Sequence, residues 1–376
     1  MRKVWVLLML LGLTVGAVAG QDTSVDELGA QLDTLVPTLL EEHQVAGAAI
    51  AVIHDGEVAW TQGYGVANLD SAEPVTPDTV FHVASISKAF TAWAILGLVE
   101  SGDIELDAPV DQYLTRWNLP DSSYNPDDVT IRRILSHTAG LSVDGYEGYE
   151  PDEELPTLEQ VLLGEGKSAR VTVLVTPGVM FRYSGGGYEV LQLLIEEVTG
   201  EDYSDYMQET VFAPLGIENS SYELTPEIET NLATGYAGPA VPKPIIRYTE
   251  QAAGGLYMTA ADLASFVAAN VESSETEMGA GIISPESVTL AHTDAEATNG
   301  EYGFGLFLYP LEDGRSVVWH DGISAAWRTL FAFEPESGEG IVILTNSSQG
   351  DDLYDEILCA WTASTGEGID DFCEAL

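Results

Sequence analysis

The chain is short of positive charge. Thirteen Lys and Arg stand against 61 Asp and Glu in 376 residues, a net charge of −48. Phosphate backbones are held by basic surface, so nucleic acid is excluded as a partner. Adsorption to an anionic membrane face is excluded on the same ground. Cysteine is scarcer still. Only Cys359 and Cys373 occur, too few for a cysteine zinc site and not spaced as C-x-x-C. No D-x-D-x-D-G calcium loop is present, and no metal or cofactor is expected.

Long apolar runs are present. The first, Val4 to Ala19, follows Arg2-Lys3 and ends in Ala17-Val18-Ala19. A basic start, a short apolar middle and an A-x-A end read as a secretory signal over residues 1–20, marginal in length for a bilayer span. The expected mature chain, 21–376, is therefore exported, to the medium, the periplasm or the cell surface. It meets a membrane only if the signal stays uncleaved. Without the first twenty residues, eleven basic residues remain and the charge falls to about −50. Dense carboxylates repel one another unless salt screens them, so the composition predicts adaptation to salt. Disorder is excluded by 45% apolar and 9% aromatic content. In an exported chain, Cys359 and Cys373 are candidates for a disulfide closing the tail.

Val25 to His43 carries a helical stripe of Leu28, Leu32, Leu35, Val36, Leu39 and Leu40. Gly47–Ile53 and Glu57–Tyr64 flank Asp55-Gly56 as a β-hairpin. From about 85 to 290 the pattern is mostly helical. It covers Ser85–Glu100, Thr130–Ser136, Tyr188–Thr199 closed by Gly200, and Ala260–Val271 with Thr259 as N-cap. Strands return at Tyr302–Tyr309, Arg315–His320, Arg328–Glu334 and Gly340–Asn346, followed by an amphipathic helix at Asp351–Ala363. The expected fold is α/β (α+β): an antiparallel sheet built from both chain ends, flanked by helices, with a mainly helical lobe inserted. The sheet lobe is placed at about 21–84 and 291–376, and the helical lobe at about 85–290. Tyr146–Glu154, acidic and aromatic, reads as a surface loop over a cleft.

Ser85-Ile86-Ser87-Lys88 carries the sharpest chemistry. Residues three apart share a helix face, so Lys88 can reach the Ser85 hydroxyl. A serine at a helix N-terminus has backbone N–H groups and the positive dipole end beside it. A buried lysine loses its proton more readily and can accept the serine's. Only three lysines, Lys88, Lys167 and Lys243, lie beyond residue 20. Chance then supplies roughly 0.2 Ser-x-x-Lys pairs. A rival, Gly322-Ile323-Ser324-Ala325-Ala326, nearly matches G-x-S-x-G. That motif needs a histidine after the serine, and none follows Ser324.

With these residues in hand, the chain resembles the serine β-lactamase and penicillin-binding-protein superfamily, within it the class C-like branch of esterases, D-aminopeptidases and DD-carboxypeptidases. Ser85-x-x-Lys88 carries the likeness first. Leu135-Ser136-His137-Thr138-Ala139-Gly140-Leu141 matches an LLSHTSGL-type segment, and Ala253-Gly254-Gly255-Leu256 an AGGL-type one. Trp319-His320-Asp321-Gly322 falls where the family has Lys- or His-x-Gly on a strand. Tyr183-Ser184-Gly185 falls at its Tyr-x-Asn position. The resemblance implies a β-lactamase/transpeptidase-like fold and an acyl-serine intermediate. It implies Ser85 as nucleophile and Tyr183 as the acid/base shuttling a proton with Lys88, whose charge would favour a tyrosinate. It implies His320 on a strand edge, orienting Tyr183 or polarising the site. Backbone N–H groups of Ser85 and of Ile323, just after Gly322, would form the oxyanion hole. His137 is expected to brace a loop.

Two departures bear on substrate. Gly185 offers no side-chain amide, and Asp321 should repel the carboxylate of a penicillin or a D-Ala terminus. The expectation is an exported serine hydrolase of a small ester, amide or peptide. A D-Ala-D-Ala carboxypeptidase or β-lactamase is the alternative, and an inactive binding protein the third.

Overall fold

The computed structural model describes residues 24–365, 369 and 372–375. The expected signal, residues 1–20, lies outside them. In chain order the elements are helix α1 (Val25–Glu42), strands β1 (Gly47–His54), β2 (Glu57–Asn68), β3 (Glu73–Pro74) and β4 (Val80–Ala84), and helix α2 (Ser87–Ser101). Short helices α3 (Ile131–Leu135) and α4 (Leu158–Leu163) precede α5 (Gly185–Thr199). Then come α6 (Tyr203–Met207), α7 (Pro226–Asn231), α8 (Gln251–Gly254), strand β5 (Leu256–Thr259), α9 (Ala260–Ala268) and α10 (Pro285–Ala291). Strands β6 (Phe307–Pro310), β7 (Ser316–Ile323), β8 (Arg328–Glu334) and β9 (Glu339–Thr345) lead to α11 (Asp351–Thr365) and α12 (Phe372–Ala375).

Seven strands form one sheet in the order β3-β2-β1-β9-β8-β7-β6. The pairs are antiparallel, and β1 from one chain end lies beside β9 from the other, with Ile50 opposite Ile343. Strand β1 is buried along seven of its eight residues, because both sheet faces are covered. Ile50, Val52, Leu330, Ile341 and Ile343 face α1 and α11, meeting Leu32, Val36, Ile357 and Trp361. Ala49, Ala51, Phe331, Val342 and Leu344 face the other way, toward Phe90, Leu194 and Phe266. Asp55 and Gly56 both adopt positive φ, the turn a two-residue hairpin requires.

Three details differ from the sequence pattern. Strand β4 pairs with β5 in a separate two-stranded sheet rather than joining the large one. The expected strand at Tyr302–Tyr309 is strand only from Phe307. Gly303 and Gly305 bend the chain against α10 and α2, where a Cβ would fall 2.0 Å from Ala291 O and 2.7 Å from Lys88 O. Helix α5 begins at Gly185, through three glycines, because Ser184 caps it by accepting the Gly187 N–H. Cys359 and Cys373 are joined as a disulfide that ties α12 to α11.

Candidate active site

Strand β4 ends in a turn that presents Ser85. Ala84 has φ +45°, a left-handed conformation unusual for a residue with a Cβ. The Ile86 N–H donates to Val83 O at 3.1 Å. Ser87 Oγ donates to Ala84 O at 2.6 Å and accepts the Leu256 N–H at 3.1 Å, fastening the turn to β5. Helix α2 therefore starts two residues later than its sequence pattern suggests, and Ser85 stands ahead of it. Lys88 still reaches the serine, because its own N–H donates to Ser85 O at 3.0 Å and closes one tight turn. Lys88 Nζ donates to Ser85 Oγ at 3.2 Å and to Ala253 O at 2.5 Å.

Lys88 is 1% exposed. Burial pulls its ammonium down to about 7, against the upward pull of Glu189 and Asp321. Its Nζ sits over the Tyr183 ring, 4.9 Å from the centroid. Burial pushes the Tyr183 phenol above its usual range, its contact with Ser85 lowers it, and Asp321 raises it further. A dry site penalises the charged form of both groups, so Tyr183 keeps its proton and Lys88 gives one up near neutrality.

The two histidines differ in what they hold. His320 is fully buried, and its Nδ1–H donates to Asp321 O at 2.6 Å. Its Nε2 has no hydrogen-bond partner among the described residues. Its ring lies 6.5 Å from that of Tyr183 and 5.1 Å from that of Phe307. Toward Tyr183, His320 thus shows a ring contact and no hydrogen bond among the described residues. Burial, then Lys88, pulls its pKa to about 3, so it is neutral. His137 accepts the Ser184 N–H on Nδ1 at 3.1 Å, bracing the residue after Tyr183.

Gly322 brings β7 against the nucleophile turn. A Cβ there would fall 2.1 Å from Val83 O and 2.3 Å from Thr329 Oγ1. The Ser324 N–H donates to Trp327 O in the register that pairs Gly322 with Thr329. Antiparallel alternation then turns the Ile323 N–H away from β8, onto the edge that β6, which pairs only as far as Trp319, leaves open. No acceptor among the described residues takes the Ser85 N–H. Gly185 is close-packed: a Cβ would meet Asp144 O at 3.0 Å and the Tyr146 ring at 3.2 Å. Tyr146 occupies the space beside the missing asparagine.

A cavity of about 450 Å³ opens next to this turn, lined by His82 of β4, Tyr146, Tyr248, Tyr257, Ile245 and Trp327 among others. Glu147 and Glu150 of the acidic loop line it too, whereas Glu153 pairs with Lys167 at 2.5 Å. Ser324 lines it, and Ile323 before it is 55% exposed. Among the described residues no helix is long and apolar enough to cross a membrane. One participant was missed in the sequence. Glu189, fully buried on α5, accepts the Ala253 N–H at 3.0 Å. Its signal was a polar pair, Glu189 and Gln192, one helical turn apart inside the apolar run Tyr188–Ile195.

Known proteins bear on this geometry. The protein flp of Staphylococcus aureus (strain COL) is 24% identical over 323 residues, 84% of this chain. The chain spans 62% of the length of that relative. Penicillin-binding protein 4 of Amycolatopsis lactamdurans is 27% identical over 341 residues, covering 85% of this chain and 87% of that one. The octameric penicillin-binding protein homologue of Pyrococcus abyssi superposes with a TM-score of 0.77 at 28% identity, over 92% of this chain and 80% of that one. The family profile described as Beta-lactamase matches residues 32–359. The chain belongs to the Beta-lactamase family.

Proposed function

We propose that the protein is an exported serine hydrolase that cleaves an ester or a neutral amide through an acyl-serine. The observation that carries this reading is the 3.2 Å contact of Ser85 Oγ with a lysine whose pKa burial brings to about 7. Neutral Lys88 takes the Ser85 proton as Oγ attacks the substrate carbonyl carbon. The Ser85 and Ile323 N–H groups hold the oxygen that becomes negative. Tyr183, protonated and in contact with Ser85, passes a proton from Lys88 to the departing alkoxide or amine. Water enters by the reverse path and releases the acid.

Substrate choice follows from the surroundings. The cavity walls are aromatic and aliphatic, which suits an uncharged apolar group on the substrate. Charge does not choose against a carboxylate in the cavity, because Glu147 and Glu150 share its lining with Lys167 and Lys243. A fluorophosphonate probe should label the protein at Ser85, and Ser85→Ala should remove that label. Undiminished labelling of Ser85→Ala would sink the assignment. A panel of esters in molar salt then ranks acyl groups by kcat/KM.

A second reading has one specific support, the similarity to a protein named penicillin-binding protein 4. Under it the same Ser85 acylates on D-Ala peptides or β-lactams. Covalent capture of labelled penicillin at Ser85 separates the two readings. Slow capture without release favours a penicillin-binding protein, and fast release a lactamase.

A further inference from the structure

The Lys88 amine is met by the Ala253 carbonyl, and the N–H of the same residue is held from behind. Ala253 lies in α8, a single turn between α2 and α5. The first N–H groups of such a turn have no partner within it. Helix α5 supplies them from outside. Glu189 Oε1 accepts the Ala253 N–H at 3.0 Å, and Gln192 Oε1 accepts the Ala252 N–H at 3.0 Å. Gln192 Nε2 also donates to Thr249 O at 3.0 Å. From the other side Thr91 Oγ1 donates to Ala252 O at 3.0 Å, and Lys88 Nζ donates to Ala253 O at 2.5 Å. One peptide unit away from each other, the Ala253 N–H and C=O thus link a buried carboxyl to the buried amine.

We infer that Glu189 is a positioning residue: by holding the Ala253 N–H it aims the Ala253 carbonyl at Lys88 Nζ, and so sets Lys88 against Ser85 Oγ. This rests on the proposed serine-hydrolase reading. Glu189 acts through the acceptor it presents. It is fully buried, its Oε2 has no hydrogen-bond partner among the described residues, and burial together with Glu250 raises its carboxyl well above the usual range. The other groups facing it are Lys88, Glu196 and the Tyr146 and Tyr203 phenols. Lys88 in turn is faced by Glu189, Asp321, His137, His320 and Tyr183. Without the Glu189 acceptor, the Ala253 carbonyl is free to turn, and the ammonium form of Lys88 loses an aimed acceptor.

The test compares Glu189→Gln with Glu189→Leu in the full chain. Gln keeps the acceptor and Leu removes it. An ester substrate of the wild type is used, with kcat, KM and the pH midpoint of kcat/KM measured, and folding checked by melting. Glu189→Leu should lose about a hundredfold in kcat with little change in KM. Its acid limb should also move to lower pH, whereas a merely structural defect lowers the active fraction and leaves the midpoint in place. Glu189→Gln should recover most of that loss. Should the Leu variant not fold, Glu189→Asp, one methylene short of the Ala253 N–H, takes its place with the same expectation. The inference is overturned if Leu (or Asp) keeps wild-type kcat and midpoint, or if Gln falls as far as Leu. A wild type that neither hydrolyses esters nor is labelled at Ser85 overturns the hydrolase reading and this inference with it. An active wild type with equal Gln and Leu variants overturns the inference alone.

Discussion

Lys88 Nζ stands 3.2 Å from Ser85 Oγ while its own residue is closed to solvent. That single relationship joins a local turn to a global property of the fold. The turn brings the atoms together, and burial decides which of them carries the proton.

The first expectation concerns pH. Because Lys88 is pulled to about 7, kcat/KM for an ester should rise about tenfold per pH unit on the acid side and level off above about 7. Lys88→Met should lower it by about 10²–10⁴-fold across the range. Stability should also rise with pH, over a higher range. Between about 7 and the ordinary 10.5 the unfolded chain binds a proton that the folded chain does not, so this group makes the fold more stable as pH rises. Lys88→Met should therefore gain on wild type as pH falls from about 10 to about 7, read from melting curves. A constant gap between the two curves would show that Lys88 titrates normally.

Tyr183→Phe keeps the ring beneath the Lys88 ammonium and removes the hydroxyl that touches Ser85. A drop of about 10²–10³-fold in kcat with little change in KM is expected. Unchanged kcat would remove Tyr183 from the proton path.

Gly322→Ala would drive a Cβ to 2.1 Å from the Val83 carbonyl, a backbone atom that cannot swing aside. The variant should lose about 1–3 kcal/mol of stability. Because the displaced strand also carries the Ile323 N–H, Ser85 labelling should slow as well. Melting and labelling rates check both parts, and a variant that melts and labels like wild type contradicts the close approach.

The Cys359–Cys373 bridge closes a segment of 14 residues. Reducing it, or Cys359→Ser, should cost about 2–3 kcal/mol through the freedom regained by the unfolded chain. Activity at low temperature should persist, because the bridge ties α12 to α11, across the large sheet from α2 and Ser85. Loss of activity in a folded reduced protein would contradict this.

Charge sets a final expectation. At −48, self-repulsion should destabilise the fold in dilute buffer. Molar salt shortens the screening length from about 10 Å at 0.1 M to about 3 Å, so the melting temperature should climb steeply over that range. A flat salt dependence would show that the surface carboxylates lie too far apart to repel.

Much of this protein was legible from its residues alone. The apolar stripe of α1, the Asp55-Gly56 turn, the strands β7 to β9 and the unbroken apolar course of α2 follow from periodicity, which is a local property. The scarcity of lysine made Ser85 and Lys88 stand out before any fold was known, and two cysteines left one possible intramolecular pairing. What the fold alone decided depends on segments far apart in the chain. Residues from α5 and α8 close over Lys88, and that desolvation pulls its pKa down to about 7 while burial pushes that of Tyr183 up. Tyr146 fills the space beside Gly185, His320 turns to its own strand's carbonyl, and Glu189 meets Ala253 across 64 residues. Spacing records which side chains share a turn. Burial and charge are sums over the whole molecule, and so only the tertiary structure could set them.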